Sequence, residues 1–167
     1  MCGCRMDRRE LGRLLAGAGS VVLAPGLAHA ATVTALGVTC IDYRLVATAG
    51  NFFSRLHLTH DYDQVSLAGA SLAAVSDKFP SSNAAFWDHI GIAQQLHHIK
   101  EVIVVDHRDC GAFKVAFGKD YKGEGAAEAA QHQSVMEQVK ARLAASHPGL
   151  ASQFYLMALD GSAERLL

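Results

Sequence analysis

The segment EVIVVDHRDCGA, residues 101–112, decides the fold of this chain. It opens with four consecutive apolar β-formers, Val102 to Val105, between charged residues, which is typical of a strand covered on both faces. Strands of this kind belong to parallel sheets with helices on either side. The segment runs without a break into His107 and Cys110, so an imidazole and a thiol are expected at the end of a buried strand.

Strands and helices alternate on either side of this segment. Apolar residues at helical spacing predict helices, and short apolar runs rich in β-formers predict strands. Along the chain the order is strand 32–40, helix 45–58, strand 62–71, helix 81–99, strand 101–107, helix 123–146 and a closing strand within 154–166. This alternation predicts an α/β fold, with a mostly parallel sheet of four or five strands flanked by helices.

The composition favours one globular domain. The 167 residues are 50% hydrophobic and 19% charged, which suits a compact core and excludes a disordered chain. The net charge of −1 shows no basic excess of the kind that a phosphate backbone attracts. Nucleic acid is therefore not an expected partner.

The first thirty residues have the pattern of an export signal. Arg8 and Arg9 precede a stretch rich in Leu, Ala and Gly, and residues 28–30, AHA, form a small-x-small cleavage site. The paired arginines resemble a bacterial twin-arginine signal, which predicts a periplasmic protein with a mature domain at residues 31–167. The apolar run 14–24 is too short for a permanent membrane span. An amphipathic N-terminal helix is the alternative interpretation.

Cys40 and Cys110 are the two cysteines of the predicted mature domain, since Cys2 and Cys4 lie in the predicted signal. Two cysteines in an exported protein are consistent with a disulfide. A metal site is the other interpretation, because ligands bind at the carboxyl ends of parallel strands. Cys40 ends the first predicted strand, and His107 and Cys110 follow the third. Two thiolates and an imidazole suit zinc and leave a fourth position for water, as in catalytic zinc sites.

Two motifs around these residues resemble the zinc site of the β-class carbonic anhydrases. They are C-x-D-x-R at Cys40, Asp42 and Arg44, and H-x-x-C-G at His107, Cys110 and Gly111. The order of the surrounding elements is similar over most of residues 33–165. The resemblance implies one zinc ion held by Cys40, His107 and Cys110, with Asp42 and Arg44 as an orienting dyad. It also implies reversible hydration of carbon dioxide to bicarbonate, in a homodimer or larger homo-oligomer.

The implied mechanism assigns a role to each residue. In carbonic anhydrases zinc lowers the pKa of a bound water from about 15.7 to about 7. Asp42, held by Arg44, is expected to orient the resulting hydroxide by accepting its hydrogen bond. If Asp42 moved onto the zinc it would close the fourth position, and the sequence leaves both states open. A helix beginning around Gly111 and Ala112 is expected to aim backbone N–H groups at the Cys110 thiolate and at a bicarbonate oxygen, with Gly111 permitting the close approach.

The substrate pocket is where the sequence departs from the family pattern. Phe52 and Phe53 follow the dyad on the next helix and are expected to form the apolar wall that carbon dioxide needs. The segment SLAGAS, residues 66–71, retains Ala68 and Gly69 but lacks the Arg and Asn that typical members carry before them. We therefore expect a divergent, minimal member. Two alternatives remain open, hydrolysis of COS or CS2 by the same zinc site and a zinc-binding protein without turnover.

Overall fold

A five-stranded sheet forms the centre of the protein, whose computed structural model describes residues 32–167. Its strands are β1 (Ala35–Thr39), β2 (Tyr62–Ser66), β3 (Glu101–His107), β4 (Ala151–Met157) and β5 (Ala163–Arg165), in the order β2-β1-β3-β4-β5. Strand β1 pairs in parallel with β2 and β3, β3 pairs in parallel with β4, and β5 is antiparallel to β4. The predicted α/β fold with a mostly parallel sheet is confirmed.

Four helices connect and cover these strands. They are α1 (Val46–Arg55), α2 (Pro80–His97), α3 (Gly111–Phe117) and α4 (Gly125–Ser146), with short 3₁₀ helices at Tyr43–Leu45 and Ala70–Ala74. The second strand is shorter than predicted, since it ends at Ser66 rather than reaching residue 71. The chain turns there because Gly69 and Ala70 have positive φ angles of 77° and 42°, which a strand does not accommodate.

The two faces of β3 bury different parts of the core. Val102 and Val104 pack into a cluster with residues of α2 and α4, including Phe86 and Met136. The intervening residues of β3 belong to a second cluster, which contains Ile103, Val105, Phe52, Phe53 and Met157. Successive side chains of a strand point to opposite faces, so this division follows from the pleat. The interpretation of residues 102–105 as a strand covered on both faces is confirmed.

The predicted export signal, residues 1–30 with Cys2 and Cys4, lies outside the described residues and stays a prediction. Within residues 32–167 no helix combines the length and the apolar character needed to cross a membrane.

Candidate metal centre

Three side chains with metal-binding atoms converge at the carboxyl ends of β1 and β3. The strands are neighbours in parallel register, with Thr39 opposite Val105, so the residues that follow them lie side by side. Cys40 comes directly after β1, His107 is the last residue of β3, and Cys110 precedes α3. Their ligand atoms all lie within 4.8 Å of one another. The fold therefore brings these three residues together, as the sequence predicts.

His107 has the orientation of a metal-binding imidazole. The side chain is buried, with 1% of its surface exposed, and its Nδ1 lies 2.8 Å from the carbonyl oxygen of Arg108. A carbonyl only accepts, so Nδ1 carries the proton and donates it. The lone pair is then on Nε2, which is buried and has no hydrogen-bond partner among the described residues. Leaving a buried polar atom unpaired costs about 1–3 kcal/mol, and a metal ion would satisfy it.

The two thiols are free and interact with each other. Their sulfur atoms are 4.0 Å apart, and the backbone N–H of Gly69 donates to Cys40 Sγ over 3.3 Å. The hydrogen bond with Cys110, the neighbouring His107 imidazole and the N–H of Gly69 lower the pKa of Cys40 against the opposing effect of burial. The hydrogen bond with Cys40, together with burial, raises the pKa of Cys110. Without a metal, the two thiols thus ionise at different pH values, whereas a divalent cation favours both as thiolates.

Asp42 and Arg44 form a bidentate pair beside these residues. Arg44 Nε donates to Asp42 Oδ1 over 2.9 Å, and Arg44 Nη2 donates to Asp42 Oδ2 over 2.7 Å. These bonds lower the pKa of Asp42 to about 2, so the carboxylate is ionised at neutral pH. Its Oδ2 lies 3.8 Å from His107 Nε2, which places it at the edge of the metal-binding cluster.

Comparison with known proteins agrees with this geometry. The sequence profile of a family described as "Putative carbonic anhydrase" matches residues 30–147. This chain belongs to that family. Two uncharacterized proteins, from Rickettsia conorii and Rickettsia bellii, are each 34% identical to it over 129 residues, covering 77% of this chain and 69% and 79% of theirs.

Solved structures of β-class carbonic anhydrases share the fold. The enzyme CafA of Aspergillus fumigatus has a TM-score of 0.50 at 19% identity, over 95% of this chain and 82% of its own. A tetrameric β-carbonic anhydrase of Sordaria macrospora has a TM-score of 0.50 at 14% identity, over 81% of each chain. The family match confirms the resemblance to carbonic anhydrases drawn from the two motifs, and the solved structures show that the fold is shared at low sequence identity.

In this member of the carbonic anhydrase family, the first turn of α3 lies next to the thiols. The helix begins at Gly111, as predicted, with Cys110 as the residue that caps it. The backbone N–H groups of Ala112 and Phe113 lower the pKa of the Cys110 thiol. Their effect is smaller than that of Cys40, which raises this pKa. A Cβ atom built on Gly111 would meet no atom of residues 32–167 within 4 Å, so packing within this part of the chain does not require glycine there. The binding of substrate by the Gly111 and Ala112 backbone stays a prediction.

Glycine is required instead at Gly69. Its φ is +77°, and an added Cβ would lie 3.0 Å from Leu72 Cβ and 3.1 Å from Ala112 Cβ. The sequence contained a signal for this position, because Gly69 was one of the two residues retained in the segment SLAGAS. The structure supplies the reason, since this tight turn, with its positive φ, brings the Gly69 N–H to the Cys40 sulfur.

Phe52 and Phe53 are not brought to the site. Both are buried in the core further along α1, where Phe53 stacks on Tyr62 at 4.3 Å and Phe52 contacts the Tyr155 ring edge-on at 4.9 Å. The expectation that they form the substrate wall is therefore not supported. A cavity of about 210 Å³ beside Cys40 is lined by residues from the earlier turns of the same helix and its neighbours, namely Thr39, Ile41, Leu45, Val46, Ala49, Gln64 and Ser66.

Sequence reasoning also missed the residues that fix the loop between His107 and Cys110. Asp109 has a left-handed φ of 58° and donates its backbone N–H to Glu128 Oε1 over 2.6 Å. Its side chain accepts a hydrogen bond from Arg44 Nη1 over 2.8 Å. Arg44 therefore joins the dyad to the loop that presents Cys110. Nothing in the local sequence marks Glu128, which lies 19 residues further along the chain.

Proposed function

We propose that this chain holds one zinc ion through Cys40, His107 and Cys110 and catalyses the reversible hydration of carbon dioxide to bicarbonate. The convergence of these three ligand atoms beside an arginine-held carboxylate carries the proposal. Two thiolates and an imidazole are a donor set that suits zinc, and three protein ligands leave a fourth position for the reaction. The Nε2 of His107, which has no hydrogen-bond partner within residues 32–167, supports the same fit.

Asp42 would orient the attacking group. When bound, zinc supplies the Lewis acidity that makes hydroxide available from water near neutral pH. The Asp42 carboxylate is ionised and lies next to the ligand atoms, so it can accept a hydrogen bond from the attacking hydroxyl group. This contact would direct a lone pair of the oxygen towards the carbon of the substrate.

Arg44 supports an open fourth position. Its guanidinium donates to both oxygens of Asp42 and also to the side chain and backbone carbonyl of Asp109. Movement of Asp42 onto the metal would break two charge-assisted hydrogen bonds, each contributing about 1.5–3 kcal/mol. We therefore propose that Asp42 orients the hydroxide at neutral pH rather than serving as a fourth ligand.

The surroundings of Cys40 suit a small apolar substrate and a partner subunit. The side chains of Leu45, Val46 and Ala49 give the adjoining cavity an apolar wall. Tyr43 and Val46 are also exposed, at 84% and 74%, beside the site. We propose that a second copy covers this surface in a homodimer or larger oligomer.

From the sequence alone, we further propose that residues 1–30 direct export to the periplasm.

The test is stopped-flow hydration of carbon dioxide by the zinc-quantified protein at pH 7 and pH 9. We expect about one zinc per chain and rapid hydration at both pH values. His107→Asn should lose both properties, whereas His89→Asn, which changes an exposed histidine on α2, should keep both. Cys110→Ser, which removes one of the two thiols, should lose zinc binding and hydration in the same way as His107→Asn.

Other outcomes would change the proposal in defined ways. Hydration at pH 9 alone would show that Asp42 closes the fourth position. Bound zinc with hydrolysis of COS or CS2, and no hydration, would replace the substrate. Bound zinc with no turnover on any of these substrates would indicate a non-catalytic zinc protein. A zinc-free protein with a Cys40–Cys110 disulfide would refute the metal site.

A further inference from the structure

A buried carboxylate lies directly before the histidine of the metal centre. Asp106 is 1% exposed and accepts three hydrogen bonds, from Ser71 N at 2.8 Å, Ser71 Oγ at 2.5 Å and His132 Nδ1 at 2.7 Å. Ser71 and His132 are buried as well. A buried carboxylate is costly unless it is hydrogen-bonded, and apolar residues often stabilise a core as well or better. The presence of this network, Ser71–Asp106–His132, therefore calls for a role other than filling the core.

The network lies behind the metal centre rather than in it. Neighbouring residues of a strand point to opposite faces, so Asp106 shares the face of Val102 and Val104 while His107 points away from it. Its partners belong to the elements that cover that face, the 3₁₀ helix Ala70–Ala74 and α4. None of the three residues is among the candidate metal ligands. Any effect of the network on the metal must pass through the residues it holds in place.

Ser71 links the network to Cys40. It follows Gly69 and Ala70, whose φ angles are both positive. An alanine in a left-handed conformation is disfavoured by about 1–2 kcal/mol, so the surrounding structure must hold it. The amide and hydroxyl of Ser71 both donate to Asp106 and anchor the chain immediately after this turn. The turn in that position directs the Gly69 N–H to the Cys40 sulfur.

His132 links the network to Cys110. Its ring packs against Phe113 with a centroid distance of 3.7 Å and an interplanar angle of 32°. Phe113 belongs to α3, the helix that begins immediately after Cys110. The hydrogen bond to Asp106 fixes the imidazole against this helix. His107 needs no intermediary, because it is the next residue after Asp106 on β3.

We propose that Asp106, Ser71 and His132 are positioning residues that together set the geometry of Cys40, His107 and Cys110. The inference rests on the proposed zinc site and adds residues to it that neither motif contains. It also accounts for the segment SLAGAS, which lacks the arginine and asparagine expected from the resemblance. In this chain Ser71 of that segment donates a hydrogen bond to the Asp106 carboxylate, which lies on the strand that carries His107. This bond holds the segment in place.

Metal affinity and the visible spectrum of the cobalt(II)-substituted protein test this role. Zinc affinity is measured by competition with a chelator, and cobalt(II) absorption reports the ligand geometry independently of turnover. Ser71→Ala and His132→Leu should weaken zinc binding about 10–100-fold and change the cobalt spectrum. His132→Asn, which keeps an N–H near the position of Nδ1, should recover most of the affinity. Val139→Ala creates a cavity in the core on the same helix. It should lower thermal stability but change neither the zinc affinity nor the cobalt spectrum.

The controls separate positioning from simple support of the fold. Variants of the network that lose thermal stability as Val139→Ala does, but keep wild-type zinc affinity and cobalt spectrum, would overturn the inference. Equal losses in His132→Asn and His132→Leu would do the same. Ser71→Ala retains its backbone bond to Asp106 and so provides the test even if His132→Leu does not fold. Zinc binding without carbon dioxide hydration in the wild type would refute the proposed activity alone, and no metal binding would refute both.

Discussion

Replacing Gly69 with alanine adds one methyl group where the turn after β2 lies against Ala112 at the start of α3. Two costs are expected. The backbone has a φ of +77°, which alanine rarely adopts, and the new Cβ would lie 3.0 Å from Leu72 Cβ and 3.1 Å from Ala112 Cβ. The neighbouring atoms are themselves Cβ atoms, which move only with their backbones. The turn must therefore shift, and the hydrogen bond from the Gly69 N–H to Cys40 would shift with it.

The size of the effect can be worked out from these two costs. A left-handed alanine is destabilised by about 1–2 kcal/mol relative to a right-handed one. Forcing an extra methyl group into a packed region costs typically about 1–3 kcal/mol. Alanine recovers about 0.4–1 kcal/mol by restricting the unfolded chain. Gly69→Ala should lower the free energy of unfolding by about 2–4 kcal/mol.

Two other glycines separate the contributions. Gly118 ends α3 with a φ of +64° and has open space where a Cβ would be, so Gly118→Ala should show the conformational cost alone, about 1 kcal/mol. Gly91 lies within α2, and its added Cβ would meet no described atom within 4 Å apart from the backbone of its own helix. Gly91→Ala should therefore stabilise the protein by about 0.5–1 kcal/mol. The measurement is urea denaturation of all three variants with a chelator present, so that metal binding does not contribute.

The relative free energies of unfolding of the three variants test this explanation. If Gly69→Ala were no less stable than Gly118→Ala, the close approach to Leu72 and Ala112 would not constrain the turn. If Gly91→Ala were as destabilised as the other two, the position of a glycine in the fold would not explain the effects at all. Zinc affinity should fall in Gly69→Ala only, and an unchanged affinity would show that the Gly69 N–H does not support Cys40.

Three further predictions concern the core, the dyad and the loop before Cys110. Phe53→Ala should destabilise the metal-free protein by about 3–5 kcal/mol yet leave the zinc content unchanged, and a fall in zinc content per folded chain would place Phe53 at the site after all. Asp42 has its pKa lowered from 3.8 to about 2, so its ionisation stabilises the fold above about pH 4 and this contribution is lost as the pH falls through 2. The difference in unfolding free energy between wild type and Asp42→Asn, in the metal-free protein, should shrink by about 2 kcal/mol between pH 5 and pH 2; a constant difference would argue against the dyad. Glu128→Gln weakens the charge-assisted bond from the Asp109 N–H and should cost about 1.5 kcal/mol in urea denaturation, whereas unchanged stability would mean that Glu128 does not hold the loop.

The order of strands and helices could be predicted because it depends on local patterns. The strand at residues 101–107 was predicted with the bounds it has, since its apolar run is flanked by charges. The end of the second strand could not be placed, because the turn at Gly69 and Ala70 depends on contacts with α3 and β3 rather than on neighbours in sequence. Predicted helices 81–99 and 123–146 likewise agree with α2 and α4 to within two residues.

The meeting of Cys40, His107 and Cys110 was also within reach of the sequence. Parallel strands align their carboxyl ends, so residues that follow neighbouring strands come together whatever the details of packing. The pairing of Asp42 with Arg44 is local, two residues apart, and the spacing alone makes it accessible. The sequence by itself thus determined the fold class, the family and the three side chains that converge.

Only the tertiary structure decided what surrounds those side chains. The position of α1 along its axis places its first turn at the cavity and Phe52 and Phe53 in the core beyond it, which an apolar helical pattern does not distinguish. The bonds of Asp106 to Ser71 and His132 join residues separated by 35 and 26 positions. Such contacts depend on how helices pack across the sheet, and no local pattern encodes them. The supporting residues of the site therefore become visible only when the chain is folded.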